Sequence, residues 1–129
     1  MKMLTAALFI VVALIHLMPL AGITSTGMLA SLYGVTIADN NLEILMRHRA
    51  VLFGVLGSLF AWAAFKPAWQ APALVAGLVS VVSFLWLAVG VGGYNALLAR
   101  VVVADVLALI CLLLVAAMKL QTFIHSTRR

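Results

Sequence analysis

Four long runs of apolar residues, separated by shorter polar connections, dominate the hydrophobic pattern of the chain. The runs are Met3–Ile23, Leu42–Phe65, Ala71–Val91 and Ala96–Met118. At about 1.5 Å per residue, each run is long enough as a helix to cross the roughly 30 Å of hydrocarbon in a bilayer. The pattern therefore predicts four membrane-spanning helices.

The connections between the runs are Thr24–Asn41, Lys66–Gln70 and Gly92–Asn95. The second and third are too short for anything but antiparallel neighbours, which predicts an all-α, integral membrane four-helix bundle of up-down topology. We find no repeat and no soluble segment, so residues 1–129 are expected to form a single transmembrane domain.

Composition supports a membrane protein, because 67% of the 129 residues are apolar and 9% are charged. Soluble domains are roughly 45–50% apolar and about 25% charged. The net charge of +5 is scattered along the chain, so we expect no nucleic-acid partner. Membrane lipids are the expected partners, and a homo-oligomer or a larger membrane complex stays open.

Because the first run is longer than a signal-peptide core and carries His16, we expect it to be retained rather than cleaved.

Basic residues predict the orientation of the helices. With the N-terminus in the cytoplasm, five basic residues lie inside and three outside, which favours both termini in the cytoplasm. The inside set is Lys2, Lys66, Lys119, Arg128 and Arg129, and the outside set is Arg47, Arg49 and Arg100.

Ionisable residues are concentrated in the predicted outer half of the bundle. His16 and Arg49 lie roughly 10 Å below the outer surface, and Asp105 lies about 13 Å below it. Such groups cost of order 2–3 kcal/mol each unless they are paired or hydrated. We therefore predict a polar pocket here; the ligand-binding candidates are His16, Arg47, His48, Asn95, Arg100 and Asp105.

Helix two carries a stripe of small residues at Ala50, Gly54 and Ser58. Small residues at this spacing let helices approach closely, and Arg47 lies on the same stripe. We therefore expect Arg47 to point into the bundle and to form a salt bridge with Asp105 on helix four. The alternative is that this pair only fixes helix register.

Other polar residues have structural interpretations. Glu43 and Asn40 fit a capping arrangement at the start of helix two. Arg49 shares a face with Phe53 and is expected to extend toward lipid headgroups. Pro19 should bend the first helix next to His16.

The first connection predicts a short helix, capped by Ser25 or Thr26 and ended by Gly34. Its apolar face would lie on the membrane surface and cover the polar pocket.

No metal or other cofactor is expected, because residues two apart on a helix, such as Met46 and His48, point in divergent directions.

The run E-I-L-M-R-H-R-A-V-L-F-G-V-L-G at Glu43–Gly57, with Y-G in the first connection and G-G-Y-N before the last helix, resembles small bacterial inner-membrane proteins. These are broadly similar to the DoxX-like four-helix group. The resemblance covers nearly the whole chain and implies a fold and an inner-membrane location. Some similar sequences carry the name phosphopantetheine adenylyltransferase, but that soluble α/β enzyme needs an H-x-G-H site, which this sequence lacks.

Three hypotheses of function follow. The first is a binding or transport-accessory protein whose pocket takes an anionic or amphipathic molecule, such as a lipid or a quinone-like compound. The second is a membrane enzyme with His16 or His48 as the acid or base in a redox system. The third is a structural subunit of a larger membrane complex.

Overall fold

A computed structural model describes residues 1–127, so Arg128 and Arg129 of the charge asymmetry lie outside the described residues. The described part of the chain contains helices and no strand. The α-helices are α1 (Lys2–Leu17), α2 (Thr26–Tyr33), α3 (Asn40–Phe65), α4 (Gln70–Val91) and α5 (Ala96–Thr127). Two 3₁₀ helices, Met18–Ile23 and Pro67–Trp69, extend α1 and precede α4.

Within these residues, four helical segments are long and apolar enough to cross a membrane. They are α1 with its 3₁₀ extension, α3, α4 with the 3₁₀ turn before it, and α5. α1 packs against α3 and α5, and α4 completes the bundle by packing against the same two helices. The predicted all-α membrane bundle is confirmed.

Small residues form the contact between α1 and α3. Gly54 and Gly57 are buried, and a β-carbon built at Gly57 would lie 2.7 Å from Leu17 Cγ and 3.1 Å from the Leu17 backbone nitrogen. A β-carbon at Gly54 would lie 2.7 Å from a methyl carbon of Leu20. The predicted stripe is therefore right at Ala50 and Gly54, which are buried. It is wrong at Ser58, an exposed residue whose hydroxyl donates to the Gly54 carbonyl.

The apolar core lies in the half of the bundle that contains the chain's N-terminus. Phe9 of α1 and Phe60 of α3 are fully buried and stack with ring centroids 6.3 Å apart. Around them are small and branched side chains of all four spans, among them Val12, Ala63, Ala73, Ala108 and Leu112. Large apolar side chains such as Trp86 and Val89 are exposed outside this core and face the lipid of a membrane-embedded bundle.

The predicted helix in the first connection is present as α2. The Ser25 hydroxyl oxygen accepts a hydrogen bond from the Met28 N–H at 3.1 Å, and Gly34 ends the helix in the left-handed conformation at φ 65°. Its buried face carries Leu29 and Tyr33 and points into the bundle. α2 therefore packs against the 3₁₀ extension of α1 and against α5 at one end of the bundle. The helix itself was predicted, but its apolar face packs into the protein and not onto the membrane surface as expected.

The ends of three spans differ from the predicted bounds. α1 ends at Leu17, because Pro19 cannot donate to the helix, and the chain continues as a 3₁₀ helix. α3 begins at Asn40 with Asp39 as its N-cap, so the predicted Asn40–Glu43 cap is wrong. α5 continues nine residues beyond Met118 to Thr127, through a mixture of polar and apolar residues that is compatible with a helix outside the membrane.

Two glycines form the connection from α4 to α5. Gly92 has φ 64° and ψ −174°, and Gly93 has φ 65°, conformations that L side chains rarely adopt. A β-carbon at either position would meet nothing within 4 Å. Backbone geometry, rather than lack of space, therefore requires glycine here.

Candidate functional site

Two cavities lie at the α2 end of the bundle, on either side of the Phe53 ring, which lines both. We call the larger one the Arg49 groove and the smaller one the His16 cavity. The Arg49 groove has a volume of about 550 Å³ and the His16 cavity about 230 Å³.

The Arg49 groove lies between α3, α4 and the beginning of α5, and it opens to the surface of the bundle. Its polar wall contains Arg49, Ser80, Ser83 and Tyr94. Its apolar wall is formed by Leu52, Phe53, Leu56, Phe84, Leu87, Ala88, Val91 and Leu98, with Gly92 at one edge. The groove therefore combines one cation and three hydroxyl groups with a long apolar surface.

Aromatic rings surround the Arg49 guanidinium. Its central carbon lies 5.0 Å from the ring centroid of Phe53, 5.5 Å from that of Tyr33 and 5.7 Å from that of Phe84. Within residues 1–127, no carboxylate lies within 4 Å of this guanidinium. Stacking on rings leaves the N–H edges of a guanidinium free to donate to an anion.

The prediction that Arg49 extends to lipid headgroups is therefore wrong. Its side chain is partly buried among rings from α2, α3 and α4. The shared face with Phe53 was identified correctly, but that face points into the bundle.

The His16 cavity lies between α1, α2 and α5. His16 is 1% exposed and its ring meets the Phe60 ring edge-on, with centroids 4.9 Å apart. His16 Nδ1 lies 2.9 Å from the Val12 carbonyl oxygen, so this nitrogen carries the proton that it donates. Nε2 is then an acceptor in the neutral ring; it is buried and has no hydrogen-bond partner among the described residues.

Asp105 lies in the wall of the same cavity and is 6% exposed. In the described chain its carboxylate forms no salt bridge, and no side chain or backbone group donates a hydrogen bond to it. Phe53 and Tyr33 line this cavity together with Asp105, and the Arg49 guanidinium lies over both of their rings. An acidic group and an unpartnered histidine nitrogen therefore line one small cavity.

Tyr33 lines the His16 cavity, and its ring centroid lies 5.5 Å from the central guanidinium carbon of Arg49 in the neighbouring groove. Burial raises the pKa of the Tyr33 hydroxyl, the Arg49 charge acts in the opposite direction, and the Asp105 charge raises this pKa further. Tyr33 is therefore a neutral hydrogen-bond donor at ordinary pH. Sequence reasoning did not identify Tyr33 as a site residue, although its position at the end of α2 was predicted.

The predicted salt bridge between Arg47 and Asp105 is wrong. Arg47 Nη1 lies 2.9 Å from Glu43 Oε1, one turn away on the same helix. Arg47 Nε donates to the Ile23 carbonyl at 2.8 Å. Carbonyls at a helix end lack partners within the helix, so a nearby cation is stabilised there. Arg47 therefore connects α3 to the end of the first span.

The structure places the other three predicted site residues in different surroundings. Arg100 is exposed and lines the His16 cavity at its edge. His48 is exposed and lines neither cavity. Asn95 Oδ1 accepts from the Leu98 N–H at 2.8 Å, while Nδ2 donates to the carbonyls of Tyr33 at 2.9 Å and Gly34 at 3.2 Å. The Asn95 amide is thus used within the fold.

A third cavity, of about 560 Å³, lies at the opposite end between the beginning of α1 and the end of α5. Lys2 and Lys119 line it. The described residues contain no group of three His, Cys, Asp or Glu side chains that would hold a metal ion.

No protein-family model matches this sequence, and neither a curated protein nor a solved structure matches it. Function is therefore inferred from the geometry of the two cavities.

Proposed function

We propose that this protein binds an anionic amphipathic molecule in the Arg49 groove, as a binding or transport-accessory protein of a bacterial inner membrane. The observation that carries the proposal is a partly buried arginine that has no carboxylate partner among residues 1–127 and lies on the wall of a groove of about 550 Å³. Small-molecule sites commonly have volumes of about 300–1,000 Å³. The groove therefore has a suitable size and one strong anchor.

The charge of the groove favours an anionic headgroup. A guanidinium presents several N–H donors in one plane and binds sulfate, phosphate or carboxylate oxygens with two parallel hydrogen bonds. The Ser80 hydroxyl, on the facing helix, forms no hydrogen bond to the described residues and is available as a further donor.

The rest of the groove favours an apolar tail. Leucine, valine and phenylalanine side chains from α3 and α4 line it, and it opens to the surface that faces lipid in a membrane. A ligand that enters from the bilayer keeps its chain in an apolar environment throughout. Membership of the DoxX-like group and an orientation with both termini in the cytoplasm remain part of this proposal.

Binding of a fluorescent alkyl sulfonate to the detergent-purified protein tests the proposal, because a sulfonate stays anionic at all working pH values. We expect Arg49→Gln to weaken the affinity at least about tenfold, which corresponds to about 1.4 kcal/mol. Arg49→Lys keeps the charge but not the planar donor pair, and we expect an intermediate loss.

Arg100→Gln is the matched control, because it removes one positive charge from the same end of the bundle but from the wall of the other cavity. We expect it to leave sulfonate affinity nearly unchanged. Equal losses in Arg49→Gln and Arg100→Gln would indicate attraction to a diffuse positive surface. No binding by the wild-type protein would favour a structural subunit instead.

A further inference from the structure

The only acidic residue inside the bundle is Asp105. The chain contains three acidic residues in all. Asp39 is the N-cap of α3 at the surface, and Glu43 is paired with Arg47. Asp105 is the only one of the three that is buried, and it lacks a hydrogen-bonded or salt-bridged partner within the described chain.

The ionisable groups near Asp105 can be named helix by helix. α1 contributes His16, α2 contributes Tyr33, and α3 contributes Arg49. α5 itself contributes Arg100, which is exposed at the edge of the cavity. α4 contains no ionisable residue at all. Arg49 is therefore the partly buried cation that balances the charge of Asp105.

An anion in the Arg49 groove disturbs this balance. Before binding, one positive and one negative charge face each other across Phe53 and Tyr33. After binding, the guanidinium is paired with the headgroup, and Asp105 is left as a second negative charge in a region of low dielectric constant. Unbalanced charges in such a region are expensive, so a carboxylate there takes up a proton instead.

We infer that the protein binds its anionic ligand together with one proton, and that Asp105 in the His16 cavity is the group that accepts this proton. The inference rests on the proposed function of the Arg49 groove and adds a second ligand to it. The charge balances: one anion and one proton enter, and the net charge of the protein with its ligand is unchanged. His16 Nε2 is the other proton acceptor in this cavity, and the Tyr33 hydroxyl is already protonated.

Sulfonate affinity measured as a function of pH, between about pH 5 and 8, tests the inference. Uptake of one proton per ligand weakens the affinity by up to about tenfold for each unit of rising pH. In Asp105→Asn the side chain is permanently neutral, so we expect a sulfonate affinity as high as that of the wild type at low pH and independent of pH. His16→Gln should keep the pH dependence.

Asp39→Asn is the matched control, because it removes a carboxylate that lies outside the bundle while asparagine remains a good N-cap. It should keep the wild-type pH dependence. A second measurement needs no variant: sulfonate added to wild-type protein in weakly buffered detergent should raise the bulk pH as protons are taken up. This measurement tests whether binding takes up a proton even where Asp105→Asn fails to fold.

Three results overturn the inference while leaving the proposed function intact. They are wild-type binding that is independent of pH, binding without proton uptake, and a pH dependence that persists in Asp105→Asn. Loss of the pH dependence in His16→Gln alone would assign the proton to His16 and overturn the role of Asp105. Absence of sulfonate binding in every variant would overturn the proposed function and this inference together.

Discussion

Asn95, just before α5, links the last connection of the bundle to the end of α2 in the first connection. Its amide oxygen caps α5, and its amide nitrogen donates to two carbonyls at the end of α2. Carbonyls at a helix end have no partners in their own helix, and neither do the first N–H groups of the next one. The Asn95 side chain provides partners for one N–H at the start of α5 and two carbonyls at the end of α2, and so links α2 to α5.

We expect Asn95→Ala to lower the free energy of unfolding by about 2–3 kcal/mol, because it removes a helix cap and two hydrogen bonds. Thermal unfolding in detergent, followed by circular dichroism, measures the loss. Asn95→Asp keeps the cap and removes both donors, so its loss should be about half as large. Asn40→Ala changes an exposed asparagine with no side-chain hydrogen bond and should be nearly neutral.

The exchange of roles between Arg47 and Arg49 shows what sequence reasoning lacks at the residue scale. Residues two apart lie on nearly opposite sides of a helix, and both sides of α3 are partly covered. α1 packs against one side and α4 against another. Periodicity shows which residues share a face, but it does not show which neighbour that face meets. That His16, Arg49 and Asp105 lie at a similar level of the bundle was therefore predictable, and their partners were not.

At the scale of helices, the contact of α3 with α1 is the most extensive in the described bundle, and it is close at Gly57. The Leu17 backbone nitrogen lies so near Gly57 that a side-chain movement alone would not make room for a methyl group. Close backbone approach through glycine is a common source of stability between membrane helices, where lipid supplies no hydrophobic driving force.

Gly57→Ala is expected to destabilise the bundle by about 1–3 kcal/mol, because α1 must move away from α3 to accept the added methyl group. Gly90→Ala offers a matched comparison, since nothing lies within 4 Å of its β-carbon position in α4. There alanine should be neutral or stabilising by up to about 1 kcal/mol. Melting temperatures of the two variants in one detergent give the test. Equal destabilisation would contradict the close contact.

Most helices were predictable because their signals are local. Run length, the Ser25 cap, Gly34 and Pro19 act within a turn or two of the chain. The end of α5 was not predictable in this way, since Lys119 and Gln121 interrupt the apolar run without interrupting the helix. Hydropathy marks the boundary of lipid, and a helix is free to continue beyond it.

At the scale of the whole molecule, the apolar core and the two polar cavities lie at different levels of the bundle. This separation of levels was predictable from where charges occur along the four runs. The identity of the cavity walls was not, because Phe53, Phe84 and Tyr33 meet only when α2, α3 and α4 are assembled. The sequence around an aromatic residue in an apolar run does not show which rings of other helices it will contact.

The basic residues of the chain predict the orientation of the bundle in the membrane. We expect alkaline phosphatase fused after Ala38 to be active and the same enzyme fused after Gln70 to be inactive, because alkaline phosphatase folds only outside the cytoplasm. Fusion activity normalised to expression is the measurement. The reverse pattern would place the Arg49 groove at the cytoplasmic side, where its ligand would enter from the inner leaflet.

The connection between α4 and α5 has a consequence that concerns handedness. Gly92, at φ 64° and ψ −174°, has the mirror image of a conformation that ordinary L residues adopt easily. There is room for an L side chain, but its chirality is wrong for this backbone. A D-alanine introduced by chemical synthesis matches the backbone and restricts the unfolded chain. The turn therefore selects an achiral residue among the natural twenty, and a mirror-image residue would serve it better than glycine.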